Sequence, residues 1–324
     1  MPSVKTLKKI VGEFDEKSSS LAKCLGGGKL RILASMIYCL IRYGARPIDY
    51  ERFEFFRKSR YERNRYMTFL RYFKVFKSID SETRRFISGE KRNEYEAFAD
   101  YIHRKWMIAD LTTDPNLIRD MIAKCGSVIA KPEHGEQGHG IFVIKANDES
   151  ALRQLQESLA SDSYMLEEIV SNHPLISRIN PSSLNTVRAT TYIDKEGQTH
   201  IFSIILRVGA PGSKVDNWGA GGVGYNFDVE SGICNQPGKD KKNRTYLRHP
   251  GSDIKMIGFE LPDFPKLKEY IIGLSKVVPK ARYVGWDIAL TPDGYELIEM
   301  NCPAGHDMFQ SFDNPFYSFY LKNR

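Results

Sequence analysis

The 324-residue chain lacks several features that would place it in a familiar class. It has only five cysteines, an odd number with no CxxC pair, which argues against a disulfide framework or a zinc site and favours a reducing compartment. No apolar run approaches the roughly 18–20 residues that span a bilayer. The first twenty residues are polar and lack the apolar segment of a signal peptide. We therefore expect a cytoplasmic globular protein.

Short catalytic signatures are missing as well. Residues 26–28 are three glycines, but no strand precedes them and no Lys-Ser/Thr pair follows, so they predict a flexible loop and not a P-loop. No Ser/His/Asp or Cys/His signature is apparent. A mechanism that uses a protein nucleophile is therefore not expected.

Positive charge is concentrated near the N-terminus. Residues 1–90 hold 20 Lys and Arg against 10 Asp and Glu, whereas the rest of the chain holds 27 against 30. Such an excess favours an anionic partner, which could be a membrane surface, a lipid-linked saccharide or a nucleic acid. A solvated helical face would account for it equally well.

Residues 1–90 are predicted to be helical. The apolar run at residues 30–41 is too short to span a bilayer, so it predicts either a core helix or an amphipathic helix lying in a membrane surface. Residues 50–76 interleave aromatic and basic side chains, a mixture that can bind nucleic acid. Their spacing favours an amphipathic helix that packs its aromatics inward.

From about residue 91 the pattern alternates between helices and strands, which predicts an α+β fold. We expect helices at residues 90–106, 115–124, 150–160 and 264–278. Strands are expected at residues 127–131, 140–145, 164–170, 186–193 and 200–208, and a hairpin at 283–301.

The hairpin at residues 283–301 carries the clearest chemical signal. Residues 292–294 (PDG) suit a three-residue loop with Gly294 in a left-handed conformation. Asp287 then lies opposite Glu299, and Asn301 shares their face because side chains alternate along a strand. Mg²⁺ takes such oxygen ligands together with nucleotide phosphates, although a solvated hairpin face is the alternative. The opposite face should enter the core through Val284, Trp286, Ile288, Ile298 and Met300.

A second signal is Lys131 at a strand end, followed by Gly135, Gly138 and Gly140. Glycines let backbone N–H groups approach an anion, and a lysine supplies a compact positive charge for phosphate. The segment predicts a hairpin flap that folds over a nucleotide, or simply a surface hairpin with a glycine-rich turn.

Three further segments could complete a site. The strand at residues 164–170 ends in two glutamates, a pattern that can read adenine and ribose. Arg188 and Arg207 lie in apolar strands, where an arginine is costly unless it meets a phosphate or a buried carboxylate. The loop at residues 216–222 (DNWGAGG) could close over a substrate or serve only as a connector.

This ordered set of motifs resembles the ATP-grasp superfamily over roughly residues 91–310. The stretches HPGSDIKMIGFELP, VGWDIALTPDGYELIEMNCPAGH and GARPIDYERFEF look more specifically like the sugar-transfer-associated ATP-grasp proteins, which are found with polysaccharide biosynthesis. The resemblance implies two α+β lobes gripping ATP, preceded by a basic helical region. The expected divisions are residues 1–90, 91–170 and 171–324.

The resemblance also implies residue roles. Lys91, with Lys105 as its rival, and Lys131 would bind ATP phosphates under the flap glycines. Glu167 and Val170 would meet the adenine, and Glu168 or His173 the ribose, although the stretch after Val170 is longer than in small amino-acid ligases. One or two Mg²⁺ ions, or Mn²⁺, would be held by Asp287, Glu299 and Asn301. Arg207 would stabilise the transferred phosphoryl group and Arg188 a phosphate or a substrate carboxylate. The substrate loop would contribute Asn217, Gly221 and Gly222.

The implied chemistry is ATP-dependent carboxylate–amine ligation through an acyl phosphate. The expected substrates are an amino acid and a uronic acid or amino sugar of a surface polysaccharide. We also expect residues 1–90 to allow peripheral association with the inner face of the membrane, and expect no nucleic acid partner. The alternatives are a kinase-like phosphotransferase acting on a glycan and a non-catalytic nucleotide-binding scaffold.

Overall fold

A computed structural model describes residues 4–78, 91–134 and 140–324. The N-terminal part is helical, as predicted, and the remainder consists of two antiparallel sheets with flanking helices, which is an α+β fold. The N-terminal helices are α1 (Val4–Leu25), α2 (Lys29–Tyr43), α3 (Pro47–Arg52), α4 (Arg60–Asn64) and α5 (Phe69–Ser78). All five cysteines lie in the described part of the chain, and each is a free thiol.

Helix α2 is amphipathic and buries one side. Its buried positions recur at helical spacing, so one face packs into the N-terminal core as a core helix should; they are Ile32, Met36, Cys39 and Tyr43. Gly44 ends the helix in a left-handed conformation and donates its backbone N–H to the carbonyl oxygens of Cys39 and Leu40. The other side of α2 remains exposed.

Residues 50–76 do not form one amphipathic helix, so that prediction is wrong in detail. The chain is divided into α3, a 3-10 turn at Phe55–Arg57, α4 and α5. Ser59 and Glu62 form a capping box that starts α4 afresh. The inward packing of the aromatics is confirmed, because this region buries Tyr50, Phe53, Phe55 and Tyr66.

The first sheet has the order β1-β4-β2-β3, with all neighbours antiparallel. Its strands are β1 (Trp106–Ala109), β2 (Ser127–Pro132), β3 (Phe142–Lys145) and β4 (Tyr164–Glu168). Helices α7 (Pro115–Cys125) and α8 (Glu149–Ser158) cover one face and share a core with it. The predicted hairpin across the glycine-rich segment is therefore present as β2 and β3.

The helix predicted at residues 90–106 is too long. Helix α6 spans only Lys91–Ala97, and a 3-10 turn follows at Ala99–Tyr101. Trp106 is the first residue of β1. Trp106 pairs with Glu167, 61 positions away in the chain, so the strand is stabilised by a partner that local periodicity cannot reveal. The other predicted helices and strands are present with ends within two residues.

The second sheet has the order β11-β10-β5-β6-β7-β8-β9. Its strands are β5 (Thr186–Ile193), β6 (Thr199–Val208), β7 (Val223–Phe227), β8 (Gly238–Lys239), β9 (Thr245–Tyr246), β10 (Tyr283–Thr291) and β11 (Gly294–Asn301). Helix α10 (Phe264–Val277) packs on one face through Leu267, Ile271 and Leu274. The remaining short helices are α9 (Pro174–Ser177), α11 (Asp307–Gln310) and α12 (Phe316–Asn323). Gln310 binds both backbone groups of Met67, which ties this lobe to the N-terminal region.

The hairpin of β10 and β11 places Asp287 opposite Glu299, as predicted. The connection itself differs, because Thr291 pairs with Gly294 and only two residues form the loop. A bulge after Asp287 inserts one extra residue in β11 and restores the expected register at the carboxylates. The bulge also explains why one core prediction is wrong, because Ile298 is the extra residue and is only half-buried. The other predicted core residues of the hairpin are buried, namely Val284, Trp286, Ile288 and Met300.

None of the helices in residues 4–78, 91–134 and 140–324 has the length and apolar character needed to cross a membrane.

Candidate active site

Two lysines lie near each other at the end of the central strand β2. Lys131 on β2 and Glu167 on the neighbouring strand β4 form an ion pair. Lys91 at the start of α6 donates to the backbone oxygens of Pro132 and Glu133. Burial, together with the charge of Lys131, lowers the pKa of the Lys91 ammonium. The structure therefore brings the two lysines that the sequence singles out close together.

A buried network that the sequence reasoning missed lies behind this pair. Arg104 donates from Nε to Glu167 at 2.8 Å and from Nη1 to Oε1 of Glu296 at 2.7 Å. The Tyr95 hydroxyl also contacts both Arg104 and Glu167. Burial alone would raise the pKa of Glu167, but Lys131 and Arg104 hold it at about 2. The only sequence signal was a charged residue two positions before an apolar strand.

The two strand arginines converge on one carboxylate in the second lobe. Arg188 donates to both oxygens of Asp287, with Nη2 2.7 Å from Oδ2, and Arg207 Nη2 lies 3.2 Å from the same oxygen. Asp287 is only 2% exposed. Burial would raise the pKa of Asp287, but Arg188 and then Arg207 outweigh it and keep the pKa low. The contacts within the chain are thus those of a buried ion pair, one of the two alternatives for these arginines.

Arg207 also contacts Asp216 at the start of the 216–222 loop. Its Nη2 lies 3.2 Å from each Asp216 oxygen, and Thr186 donates its backbone N–H to Asp216 at 3.0 Å. Burial raises the pKa of Asp216, and the charge of Asp287 adds to the rise despite Arg207. Two carboxylates therefore share Arg207 at the floor of the cleft between the lobes.

Glu299 and Asn301 lie beside this cluster with free ligand atoms. Within residues 4–78, 91–134 and 140–324 no hydrogen bond or ion pair is found for the Glu299 carboxylate. The buried Asn301 Nδ2 has no well-formed hydrogen bond there, but the Asn301 amide still helps to lower the pKa of Asp287. Glu299 is open to the cleft, yet the surrounding protein desolvates it and Asp287 repels it, so its pKa is raised. A bound cation would relieve both effects.

These donors fit a hard cation. A carboxylate oxygen and an amide oxygen are ligands that Mg²⁺ takes. Asp287 fits less simply, because both of its oxygens are bonded to arginines. No cluster of three His, Cys, Asp or Glu side chains that could hold a metal is found in the described residues. A metal here would accordingly rely on Glu299, Asn301 and groups of the substrate.

Glu94 is a second residue that sequence reasoning missed. Its carboxylate accepts the backbone N–H of Met300 at 2.8 Å, and Met300 lies between Glu299 and Asn301 on β11. Burial raises its pKa to about 7, and the nearby Glu299 charge adds to the rise. Glu94 therefore fixes the end of β11 against α6, so that the helix bearing Lys91 and the strand bearing Glu299 are joined.

The expected adenine and ribose residues lie on both faces of β4. Glu167 points to Lys131, whereas Glu168 points the other way and accepts the backbone N–H of Lys105 at 3.1 Å. Glu168, Val170 and His173 line a cleft of about 730 Å³ at the hinge between the lobes. Lys105, the rival phosphate lysine, has an exposed side chain next to Glu168.

The flap can be described only in part. Gly135 and Gly138 lie outside the described residues. Gly140 has a φ of 75°, and a Cβ there would lie 2.8 Å from Cγ of Pro132, so only glycine fits this turn.

The 216–222 loop is shaped by its own residues. Asn217 accepts the backbone N–H of Gly219 at 2.8 Å, Gly221 has a φ of 95°, and a Cβ on Gly222 would lie 2.6 Å from the Asp216 carbonyl oxygen. Trp218 is buried, donates to the Lys239 carbonyl at 3.0 Å and lies under Arg52 of the N-terminal region. The loop is thus held between β8 and α3.

The α+β chain matches the model of an ATP-grasp family. Residues 101–314 match the family described as sugar-transfer associated ATP-grasp. Because this match covers more than half of the sequence, the chain belongs to that family. No curated protein matches the sequence.

Solved structures of similar fold are distant in sequence. D-alanyl-alanine synthetase A from Vibrio cholerae is 17% identical with a TM-score of 0.46, covering 72% of this chain and 63% of its own. The ATP-grasp ligase PsnB in complex with a minimal precursor, Mg and ADP is 15% identical with a TM-score of 0.43, covering 73% of this chain and 56% of its own. The chain therefore spans less than two thirds of the length of these two structures.

Proposed function

We propose that the protein is an ATP-dependent carboxylate–amine ligase that acts through an acyl phosphate. The observation that carries this proposal is a cluster of charges: Lys91 and Lys131 of one lobe lie near Glu299 of the other, and Glu299 lies beside Arg188 and Arg207. The two lobes are electrostatically coupled there: burial and the charge of Asp287 raise the pKa of Glu299, and Lys131 of the first lobe opposes that rise together with Arg188 and Arg207 of the second. Such a set of cations and oxygen ligands suits a nucleoside triphosphate with its metal.

Glu299 and Asn301 would hold Mg²⁺, or Mn²⁺ in its place. A second ion could bind only if Asp287 gave up one of its contacts to Arg188 or Arg207. When bound, the metal supplies charge neutralisation at the phosphate oxygens. The free carboxylate of Glu299 supports this assignment, and Asn301 lies on the same strand beside Asp287.

The protein residues would act by positioning and by charge. Lys91 and Lys131 bind the phosphates beneath the flap glycines, and Glu167 keeps Lys131 oriented. Arg207 faces the transferred phosphoryl group and Arg188 a phosphate or the substrate carboxylate, while Asp287 holds both guanidinium groups in place. Phosphoryl transfer depends mainly on such placement and neutralisation. The adenine would lie by Glu167 and Val170, and the ribose by Glu168 or His173.

The two half-reactions balance without a protein nucleophile. The γ-phosphoryl group passes to an oxygen of the substrate carboxylate, and ADP leaves. An amine then attacks the carbonyl carbon of the acyl phosphate, inorganic phosphate leaves, and the amine loses a proton. The substrate side of the cleft would be the 216–222 loop with Asn217, Gly221 and Gly222, which Arg207 joins through Asp216.

The substrates we propose are an amino acid and a sugar. Either a uronic acid carboxylate is joined to the amine of an amino acid, or an amino-acid carboxylate is joined to an amino sugar, within the synthesis of a surface polysaccharide. The association of the family with sugar transfer supports this choice. The enzyme would work in the cytoplasm at the inner face of the membrane, without a nucleic acid partner.

The test measures release of ADP and phosphate from Mg-ATP with a panel of amino acids, with and without uronic acid or amino sugar glycans. Mass spectrometry of the products should show the mass of an amide. We expect turnover only when both a carboxylate and an amine are present. The Glu299→Gln variant should abolish turnover, whereas Glu196→Gln in the exposed turn between β5 and β6 should not.

Other outcomes would contradict ligation. ADP formation with a stable phosphorylated glycan and no amide would identify a kinase-like phosphotransferase. Tight ATP binding without turnover in any mixture would indicate a non-catalytic nucleotide-binding scaffold.

A further inference from the structure

Helix α2 exposes a stripe of apolar side chains on the side opposite its buried face. Leu30 and Ile41 are 80% and 81% exposed, and Ile37 between them is 44% exposed. These positions are spaced by seven and four residues, so they line one side of the helix. A stripe of large aliphatic side chains in water is unusual for a solvated helix and marks a surface that contacts something apolar.

The stripe continues onto α5. Leu70 donates its backbone N–H to the carbonyl oxygen of Gly44 at 3.1 Å, so the start of α5 abuts the end of α2. Leu70 is 44% exposed, and Phe73, one turn further along α5, is 43% exposed. We call this surface the α2–α5 face; it consists of Leu30, Ile37, Ile41, Leu70 and Phe73.

Cations surround this face. A cleft of about 530 Å³ between Ile41 and Leu70 is lined by Arg42, Arg71, Lys74 and Arg324, and none of its lining residues is acidic. Arg71 is occupied, because it donates to the carbonyl oxygens of Asn64 and Tyr66 and stacks on Tyr317. No ion pair to a carboxylate is found for the other three among the described residues. The excess positive charge of residues 1–90 is therefore partly displayed beside exposed apolar side chains.

We propose that the α2–α5 face docks on an anionic membrane surface. The aliphatic and aromatic side chains enter the boundary between headgroups and acyl chains, and the cations of the cleft meet the lipid phosphates. Helices that lie in the plane of a membrane combine an apolar stripe with flanking basic residues in this way. Attraction to anionic lipids supplies the remaining affinity and makes it depend on salt.

A second copy of the chain fits this face poorly. A two-fold symmetric contact would place the same patch on both sides, so the cations of the cleft would face an identical set. Like charges across an interface oppose association. A bilayer that contains anionic lipid presents the complementary charge and a broad apolar layer at once.

The test is co-sedimentation of the full chain with vesicles, without ATP or any ligase substrate. Vesicles of phosphatidylcholine alone are compared with vesicles that also contain phosphatidylglycerol. We expect binding to the anionic vesicles at low salt, at least tenfold weaker binding to the neutral ones, and loss of binding as salt is added.

Matched variants locate the contact. The Leu30→Glu/Ile41→Glu pair should weaken binding at least tenfold. Leu111→Glu, which changes a leucine in the first lobe that is 71% exposed, should leave binding unchanged. Arg42→Glu with Lys74→Glu should act like the apolar pair, with Lys214→Glu as the control. Circular dichroism would establish that each variant is folded. In an Ile41→Trp variant, tryptophan fluorescence should shift to shorter wavelength only on anionic vesicles.

Three results would overturn the proposal. Equal binding to neutral and anionic vesicles would remove the role of the cations, and equal binding of the α2 pair and its control would remove this face. A native dimer that Ile41→Glu converts to a monomer, with no binding to vesicles, would make the face an interface between copies. None of these results bears on ligase turnover with soluble substrates, which the Leu30→Glu/Ile41→Glu variant should retain.

Discussion

Arg104 and Glu296 form a buried ion pair between the two lobes, with Nη1 2.7 Å from Oε1. The same guanidinium binds Glu167 of the first sheet, so one side chain joins β4 to β11. Breaking a buried pair leaves uncompensated charges in the interior. The cleft geometry between the lobes therefore depends on a residue outside the nucleotide-binding motifs.

The first prediction is that Arg104→Leu strongly destabilises the protein. Two buried carboxylates each lose a charged partner, which should lower the free energy of unfolding by roughly 3–5 kcal/mol. Urea denaturation followed by circular dichroism measures this. Arg119→Leu, which removes the exposed pair with Glu149, should cost at most about 1 kcal/mol. Similar losses in the two variants would contradict the role of Arg104.

The second prediction concerns acid stability. The pKa of Glu167 falls from an ordinary 4.5 to about 2 on folding, so its contribution is complete above pH 4.5 and is lost as pH falls toward 2. At about 1.4 kcal/mol per pKa unit, this contribution is on the order of 3 kcal/mol.

The difference in unfolding free energy between the native chain and Glu167→Gln, which we call the gap, should therefore be widest near neutral pH. It should narrow as the pH drops below 4.5, as measured by urea midpoints at several pH values. Gln154→Ala on the exposed side of α8 removes no titratable group, so the difference in unfolding free energy between it and the native chain should not change with pH. A gap for Glu167→Gln that is constant with pH would show that the ionised Glu167 is not what the network stabilises.

The third prediction separates Asp287 from Glu299. Asp287→Asn removes the negative charge with which both Arg188 and Arg207 form ion pairs, so it should lower the free energy of unfolding by about 3 kcal/mol. Glu299→Gln removes no ion pair and should change it by no more than about 0.5 kcal/mol. Glu299→Gln should nevertheless lose the extra thermal stabilisation that Mg-ATP gives over ATP with a chelator. Full retention of that increment would rule out Glu299 as a metal ligand.

The fourth prediction concerns the 216–222 loop. A Cβ on Gly222 would meet backbone oxygens of Asp216, Asn217 and Val208 at 2.6–3.1 Å, so Gly222→Ala should cost about 1–3 kcal/mol and reduce turnover. Gly27→Ala meets nothing within 4 Å and should stay near native stability. Differential scanning calorimetry compares the two, and an unchanged melting temperature for Gly222→Ala would argue against this tight packing.

Local pattern was sufficient for the elements near the site. Alternation along residues 283–301 predicted that Asp287 lies opposite Glu299, and the structure confirms it. It did so despite a misjudged turn, because a bulge compensates for the shorter loop. The misplacement of Ile298 has the same origin, since a bulge leaves no mark in an apolar alternation.

Fold class and family follow from the order of motifs, and the structure and the family match confirm them. Residue roles in ATP and metal binding remain proposals. The sequence also could not assign the two faces of β4 to different surroundings: Glu167 and Glu168 are adjacent and identical in type, yet only the first meets Lys131.

The sequence by itself determined the periodicities: the amphipathic α2, the β2–β3 and β10–β11 hairpins, and the paired arginine strands. These depend on interactions between near neighbours, which a pattern records directly. Tertiary structure decided which charges meet, because Arg104 finds Glu167 and Glu296 at separations of 63 and 192 residues. It also decided that one apolar side of α2 is buried while Leu30 and Ile41 stay exposed, since burial depends on what the rest of the fold places against a helix.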